Sequence, residues 1–242
     1  MDKAAGLSVV VPVKDEAGNV GPLAREIAAA LRNEGPYEII FVDDGSIDAT
    51  AQELLQLKAE MPGLRVISHG RNIGQSRAVR TGVSAAKGAI VVTLDGDGQN
   101  DPADIPKLLA LLRGSGAKLG MVSGVRAKRQ DNFLRRLSSH IGNGVRRWVL
   151  NDGAKDVGCS LKAFRRDAYL ALPYFDHMHR FVIALMLREG YEVRFVDVNH
   201  RPRLRGHSKY NVRKRILVGL TDLAGVLWLR RRFRGPAEPK EL

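Results

Sequence analysis

The residues best equipped for chemistry form the run Thr93-Leu94-Asp95-Gly96-Asp97-Gly98-Gln99. Its two carboxylates stand two positions apart, and an amide oxygen follows. The glycines between them let the backbone turn sharply. Hard divalent cations such as Mg2+ and Mn2+ take oxygen ligands of this kind and share them with the phosphates of a substrate. Solvated acids on a glycine-rich turn would have the same spelling, so the run by itself leaves both readings open. A second cluster, Asp43-Asp44-Gly45-Ser46 with Asp48, offers carboxylates that can accept hydrogen bonds from a nucleobase or ribose. Ser46 or Asp48 equally suits the N-cap of a following helix. A third polar turn is Pro12-Val13-Lys14-Asp15-Glu16.

Each of these turns ends an apolar run. Residues 7–13 (LSVVVPV), 37–42 (YEIIFV) and 89–94 (AIVVTL) are continuous enough to be strands buried on both faces, and 64–68 is a shorter one. Between them, 19–32, 49–60 and 75–87 show helical spacing. Asp101 with Pro102 reads as an N-cap and first helical position, followed by the face Ile105, Leu108, Leu109 and Leu112. Repeated strand–helix units imply an α/β fold whose sheet is mainly parallel, with ligands at the carboxyl ends of the strands. The acidic turns lie at those ends.

The second half is less regular. The pattern predicts strands at 119–123, 157–164 and 192–198, and helices at 131–150 and 180–188. Residues 201–214 read as a polar loop. Residues 216–229 are apolar but broken by Thr221 and Asp222, too short for a spanning helix of about 20 residues. They are expected to lie at an interface.

Charge divides the chain more sharply than its total of +13 suggests. Residues 1–110 carry a net −4 and residues 111–242 a net +17, with 11 Lys/Arg against the single acid Asp222 in 201–234. Such a face attracts phosphates, whether of nucleic acid, lipid headgroups or phosphorylated substrates. Residues 1–7 lack the basic start and apolar run of a signal peptide, so the cytosol is the expected compartment. Cys159, the only cysteine, excludes an internal disulfide and reads as a small core residue. No G-x-G-x-x-G or G-x-x-x-x-G-K-[ST] follows a strand, which argues against a dinucleotide-dependent oxidoreductase and a P-loop ATPase. His177 and His179 lack the partners of a zinc site and are expected to make polar contacts at a helix start.

Several segments, in order, resemble glycosyltransferase family 2: Val9-Val10-Val11-Pro12, Val42-Asp43-Asp44-Gly45-Ser46, Asn72-Ile73-Gly74 and Asp95-Gly96-Asp97-Gly98-Gln99. Downstream, the chain is similar to the polyprenyl-phosphate branch, the dolichol-phosphate mannosyltransferase-like enzymes. The segments that carry this are Gly124-Val125-Arg126, Arg135-Arg136-Leu137-Ser138-Ser139, Asp156-Val157-Gly158-Cys159-Ser160, His179-Arg180-Phe181 and Arg205-Gly206-His207-Ser208-Lys209-Tyr210.

The resemblance implies a GT-A fold, a Rossmann-like sheet with the donor at its carboxyl edge. Asp95, Asp97 and Gln99 would hold Mg2+ or Mn2+ on the diphosphate of a nucleotide-sugar. Pro12, Glu16, Asp43 and Asp44 would line the donor nucleoside pocket, and Asp95 would bind the donor nucleotide with them. Arg126, Arg135, Ser139, Arg205 and Lys209 would bind the phosphate of a polyprenyl-phosphate acceptor. Arg135 and Ser139 are four apart and share a face if helical. The catalytic set would be Asp97, Arg126 and Asp156, with Asp156 near the sugar. The implied reaction is an inverting displacement. A phosphate nucleophile is already anionic, so no general base is assigned.

The expected organisation is a catalytic domain over 1–212, a basic amphipathic segment over 213–234 that meets a membrane surface or a partner, and a disordered tail over 235–242. The enzyme would sit peripherally on the cytoplasmic face of the membrane. Many members of the family carry transmembrane helices, so an integral membrane partner protein is expected here. Two other readings compete. A family 2 enzyme acting on a polysaccharide or soluble acceptor would need neither phosphate-gripping cluster and would need a base. A basic nucleic-acid-binding protein fits the +17 half, but no nucleic-acid motif is recognisable and aromatics are only 6%, so no nucleic acid partner is expected.

Overall fold

The computed structural model describes residues 6–126, 150–203 and 212–235, with the backbone alone for 212–217. Seven strands form one sheet: β1 Leu7–Val13, β2 Tyr37–Asp43, β3 Leu64–Ser68, β4 Ile90–Thr93, β5 Leu119–Arg126, β6 Lys162–Arg165 and β7 Glu192–Val198. Their order is β3-β2-β1-β4-β6-β5-β7. All run parallel except β6, which is antiparallel to both β4 and β5.

The described helices are α1 Val20–Ala30, α2 Thr50–Glu60, α3 Gln75–Ala85, α4 Ile105–Arg113, α5 Arg166–Leu170, α6 Val182–Arg188 and α7 Val212–Arg232. They cover both sheet faces, and the strand alternation shows how. Val9, Val11, Ile39 and Phe41 face one core with Leu23 and Ile27 of α1, Leu54 of α2 and Leu108 of α4. Val10, Ile40 and Val42 face the other with Ala78 and Val83 of α3 and Ile183 and Leu185 of α6. Successive strand residues point to opposite faces, so a strand covered on both sides must be apolar throughout. Full burial of each such side chain contributes about 1.5–3 kcal/mol against chain entropy.

Local signals position the turns largely as expected. Asp101 accepts the backbone N–H of Ala103 at 3.0 Å and opens a 3-10 turn, Pro102–Asp104, before α4. Neither Ser46 nor Asp48 is the N-cap of α2, which is Ala49, although Asp48, just before it, accepts the Thr50 N–H at 3.0 Å.

Two expectations need correction. The predicted strand at 157–164 is only Lys162–Arg165, because 157–161 forms a loop that serves the cleft described below. Residues 212–214, read as loop, begin α7. The apolar stretch 216–229 is part of that 21-residue helix, one side of which packs on the domain. Val226 is fully buried, Arg188 of α6 donates to the Leu229 carbonyl at 3.1 Å, and Asp222 lies 3.3 Å from His177. Among the described residues no helix is long and apolar enough to cross a membrane. The expected helix at 131–150 lies outside the described residues, Leu150 excepted.

Candidate active site

The carboxyl ends of β1, β2, β4 and β5 share one edge, and the acidic turns meet there. The Asp44 N–H donates to the Val13 carbonyl at 2.9 Å, so the turns after β1 and β2 are tied together. The turn after β4 lies directly against β1. A Cβ on Gly96 would collide with Cγ1 of Val13. Glycine at this position lets Asp95 and Asp97 sit over the end of the sheet.

The buried Asn100 side chain closes this turn. Its Oδ1 accepts the Asp95 N–H at 3.3 Å and the Ser160 hydroxyl at 2.5 Å. Asp97 is 6% exposed. Its Oδ1 accepts the Gln99 N–H at 3.1 Å and its Oδ2 accepts from Arg203 Nη2 at 2.7 Å. Asp95 accepts from the Gln75 amide at 2.8 Å. Asp95 keeps some accessible surface, but its carboxyl is set deep in the edge. Burial first, and then the charge of Asp97, push it up to about 6, although a Ser160 hydrogen bond and the cations Lys162 and Arg126 pull the other way. Lys162 is itself buried on β6 and donates to the Cys159 carbonyl. Burial holds its ammonium below the ordinary lysine value despite the attraction of Cys159, Asp95 and Asp156.

Strand β5 delivers Arg126 to the same edge. Its Nε and Nη2 grip Asp156 at 2.7 and 2.8 Å, and its backbone N–H reaches the same carboxylate at 3.2 Å. The two side chains are 13% and 5% exposed. This two-pronged geometry fixes the plane of the guanidinium.

On the other flank, both expected nucleoside-site aspartates hold loops. Asp43 accepts from the Ser46 N–H at 3.0 Å and its hydroxyl at 2.5 Å. Asp44 accepts from Ile73 N–H at 3.0 Å and Gly74 N–H at 2.8 Å, with His69 Nδ1 at 2.9 Å. Pro12 and Glu16 retain accessible surface, and Glu16 accepts from the Asn19 amide at 2.7 Å. Gln99 is partly accessible. A cleft of about 310 Å³ opens between α1 and this turn, lined by Gly18, Asn19, Pro22, Glu26, Gly98 and Arg201.

The structure therefore brings together Asp95, Asp97, Gln99, Arg126 and Asp156. Arg135, Ser139, Arg205 and Lys209 lie outside the described residues. Sequence reasoning missed Gln75, Asn100, Ser160, Lys162 and Arg203. Gln75 follows Asn72-Ile73-Gly74 directly, and Ser160 ends the Asp156–Ser160 run, so adjacency to a motif was their only signal. Lys162 had none, since its burial follows from strand order. Among the described residues, no three His, Cys, Asp or Glu side chains stand together as a metal site. A cation on Asp95 and Asp97 would therefore draw further ligands from other oxygens, as Mg2+ and Mn2+ do when shared with a diphosphate.

The chain is similar to known proteins over most of its length. The family described as Glycosyl transferase family 2 matches residues 8–172. The dodecaprenyl-phosphate galacturonate synthase of Rhizobium johnstonii is 35% identical over 230 residues, covering 93% of this chain and 67% of that protein. The undecaprenyl-phosphate 4-deoxy-4-formamido-L-arabinose transferase of Edwardsiella ictaluri is 35% identical over 213 residues, covering 87% and 64%. The chain thus spans about two thirds of the length of these relatives. Among solved structures, glucosyl-3-phosphoglycerate synthase from Mycobacterium tuberculosis, in complex with Mn2+, UDP and glucosyl-3-phosphoglycerate, superimposes with a TM-score of 0.69. It shares 18% identity and covers 97% of this chain and 82% of its own. That likeness extends the GT-A-like architecture over nearly the whole chain.

Proposed function

Because the chain belongs to glycosyl transferase family 2, we propose that it moves a sugar from a UDP- or GDP-type nucleotide-sugar to a polyprenyl phosphate with inversion. The observation that carries this reading is the meeting of the Asp95–Asp97 pair with the Arg126–Asp156 pair at one sheet edge. The relatives named above, whose names give polyprenyl-phosphate products or acceptors, support the lipid acceptor.

Asp95, Asp97 and Gln99 would hold Mg2+ or Mn2+. The fit is chemical: burial first, and then the charge of Asp97, raise Asp95, and a cation would relieve both. The bound cation would offset charge on the departing nucleoside diphosphate. Pro12 and Glu16 line the nucleoside side. Asp43 and Asp44 act there by fixing the turns that frame it. Arg126, held flat by Asp156, presents positive charge to an acceptor phosphate, and Arg135, Ser139, Arg205 and Lys209 would complete that grip. Two anionic reactants repel, so cations that bring them within reach supply much of the catalysis, by positioning and by charge. The acceptor oxygen needs no base.

Helix α7 would carry the enzyme to the cytoplasmic face of the membrane, with or without an integral partner. Leu220 and Trp228 are 54% and 59% exposed, and Trp228 lies within one helical turn of the exposed Arg231 and Arg232. An apolar stripe beside arginines suits an anionic lipid surface.

Sugar transfer from a panel of labelled UDP- and GDP-sugars to undecaprenyl phosphate, in detergent with Mg2+ or Mn2+, tests the reading. Labelled lipid from one donor, lost with chelator and in a folded Asp97→Ala variant, is the expected result. Absence of product with every donor, with native membranes also supplied, would reject the lipid acceptor.

A further inference from the structure

Among the side chains that touch the carboxylate pair, Gln75 reaches Asp95 from the opening turn of α3 and has no role assigned so far. Gln75 donates its amide to Oδ1 of Asp95 at 2.8 Å. The orientation of that amide is forced while Asp95 is ionised, because the opposite flip would set two oxygen lone pairs against each other.

Gln75 is itself held from two sides. It is the first residue of α3, and the two residues before it are clamped by Asp44, whose oxygens accept the N–H groups of Ile73 and Gly74. Gly74 makes the entry possible, with φ of +98°, a backbone shape that L side chains avoid. On the other side, the hydroxyl of the next residue, Ser76, lies 2.7 Å from Nδ1 of His179 and accepts the His179 N–H at 3.2 Å. Ser76 is 3% exposed, so this contact is a fixed part of the interior. The end of β2, the entry to α3 and the turn carrying His179 thus converge on one amide.

A carboxylate that binds a cation needs one oxygen turned toward it and the other restrained. Outer partners of metal ligands do this by hydrogen bonding. We infer that Gln75 is a positioning residue for Asp95, and that the Asp44 clamp and the Ser76–His179 contact set the point from which its amide is offered. This rests on the metal role proposed above for Asp95. It gives a physical task to Asn72-Ile73-Gly74 and to His179, which the donor and acceptor sites leave unexplained.

The experiment measures uptake of Mn2+ by the full chain, by electron paramagnetic resonance of the free ion, with Mn2+ alone and with Mn2+ plus UDP or GDP. Gln75→Met keeps the length of the side chain and removes the donor. It is expected to weaken Mn2+ binding about tenfold, with an unchanged melting temperature in chelator. Ser76→Ala, which leaves Gln75 in place but frees its helix end, is expected to weaken binding by a smaller factor. Wild-type affinity in Gln75→Met would overturn the inference and leave the metal reading standing. A wild-type chain that takes up no Mn2+ under any of these conditions would overturn both. If Gln75→Met melts lower in chelator, Gln75→Ala and Ser76→Ala decide. Unaltered Mn2+ binding in both would reject the positioning role.

Discussion

Arg203 sets Nη2 2.7 Å from Oδ2 of Asp97, across 106 residues of chain. The guanidinium stands where a divalent cation on Asp97 would have to compete with it. The same strand exit is stitched to the turn after β4 by the Arg201 N–H, which donates to the Gln99 carbonyl at 2.9 Å, and by Arg201 itself, which grips Asp101 and Glu26 at 2.6 Å.

Removing that competitor should strengthen uptake of the metal. Arg203→Ala is expected to tighten Mn2+ binding by about tenfold or more at neutral pH, since a charge-assisted bond of roughly 1.5–3 kcal/mol no longer opposes it. Titration of the variant against wild type checks this. Weaker binding would show that Arg203 supports the carboxylate instead of occupying its place.

Asp97→Asn keeps the shape of the side chain and deletes its charge. Sugar transfer is expected to fall by about a thousandfold or more, as when a group that stabilises developing charge is lost. The fold should survive, because the Asn oxygen still accepts from Gln99. Asp95 should return toward an ordinary carboxylate value, since Asp97 is one of the two causes of its rise. Carboxyl chemical shifts of Asp95 against pH measure that directly.

Asp95 titrates at about 6 in the folded protein and near 3.8 in a free chain. The folded state therefore binds the extra proton between these values. Without metal, stability is expected to fall as pH rises from about 4 through 6. Metal affinity should move the opposite way: protons compete below about 6, so Mn2+ binding weakens as pH drops and levels off above it. Melting curves in chelator, paired with Mn2+ titrations across this range, test both signs.

Arg126 and Asp156 meet through two parallel bonds in a buried setting, so losing one side chain takes the main counter-charge from the other. Asp156→Ala is expected to destabilise the domain by about 3 kcal/mol. The double replacement with Arg126→Ala should cost less than the sum of the two single ones. Urea unfolding of the four proteins gives the coupling, and an additive result would mean the pair does not stabilise the edge.

Far from the cleft, the buried Glu38 receives the Ser8 hydroxyl at 2.7 Å, the Lys87 N–H at 2.6 Å and Arg65 at 2.6 Å. Burial alone would raise its pKa, but these bonds outweigh it and the net shift is downward. Its stabilisation is thus present above the unfolded-chain value and lost as pH falls through the lower folded value. Glu38→Gln should cost about 2 kcal/mol at neutral pH, and the difference from wild type should shrink in acid. A deficit that stays constant with pH would assign the cost to packing.

Local spacing along the chain was enough to specify the strands and helices of the first half and the place of the acidic turns. Continuous apolar runs at 7–13 and 37–42 suit strands covered on both faces, and the helical spacing of Ile105, Leu108, Leu109 and Leu112 marks one buried helix face. The acidic turns follow those strands in the chain, so a parallel sheet carries them to one edge whatever its details. What each carboxylate faces depended on packing. Asp43 and Asp44 are spelled much as Asp95 and Asp97 are, as paired acids at a strand end, yet the first two are engaged by neighbouring loops and the last two are crowded together. Strand β6 enters antiparallel between β4 and β5, and that insertion brings Lys162, Ser160 and Asp156 under the site. Hydrogen bonds such as Gln75 to Asp95, or Arg203 to Asp97, join positions 20 and 106 residues apart. No pattern of spacing encodes them, because they arise only where packed elements bring distant side chains within reach.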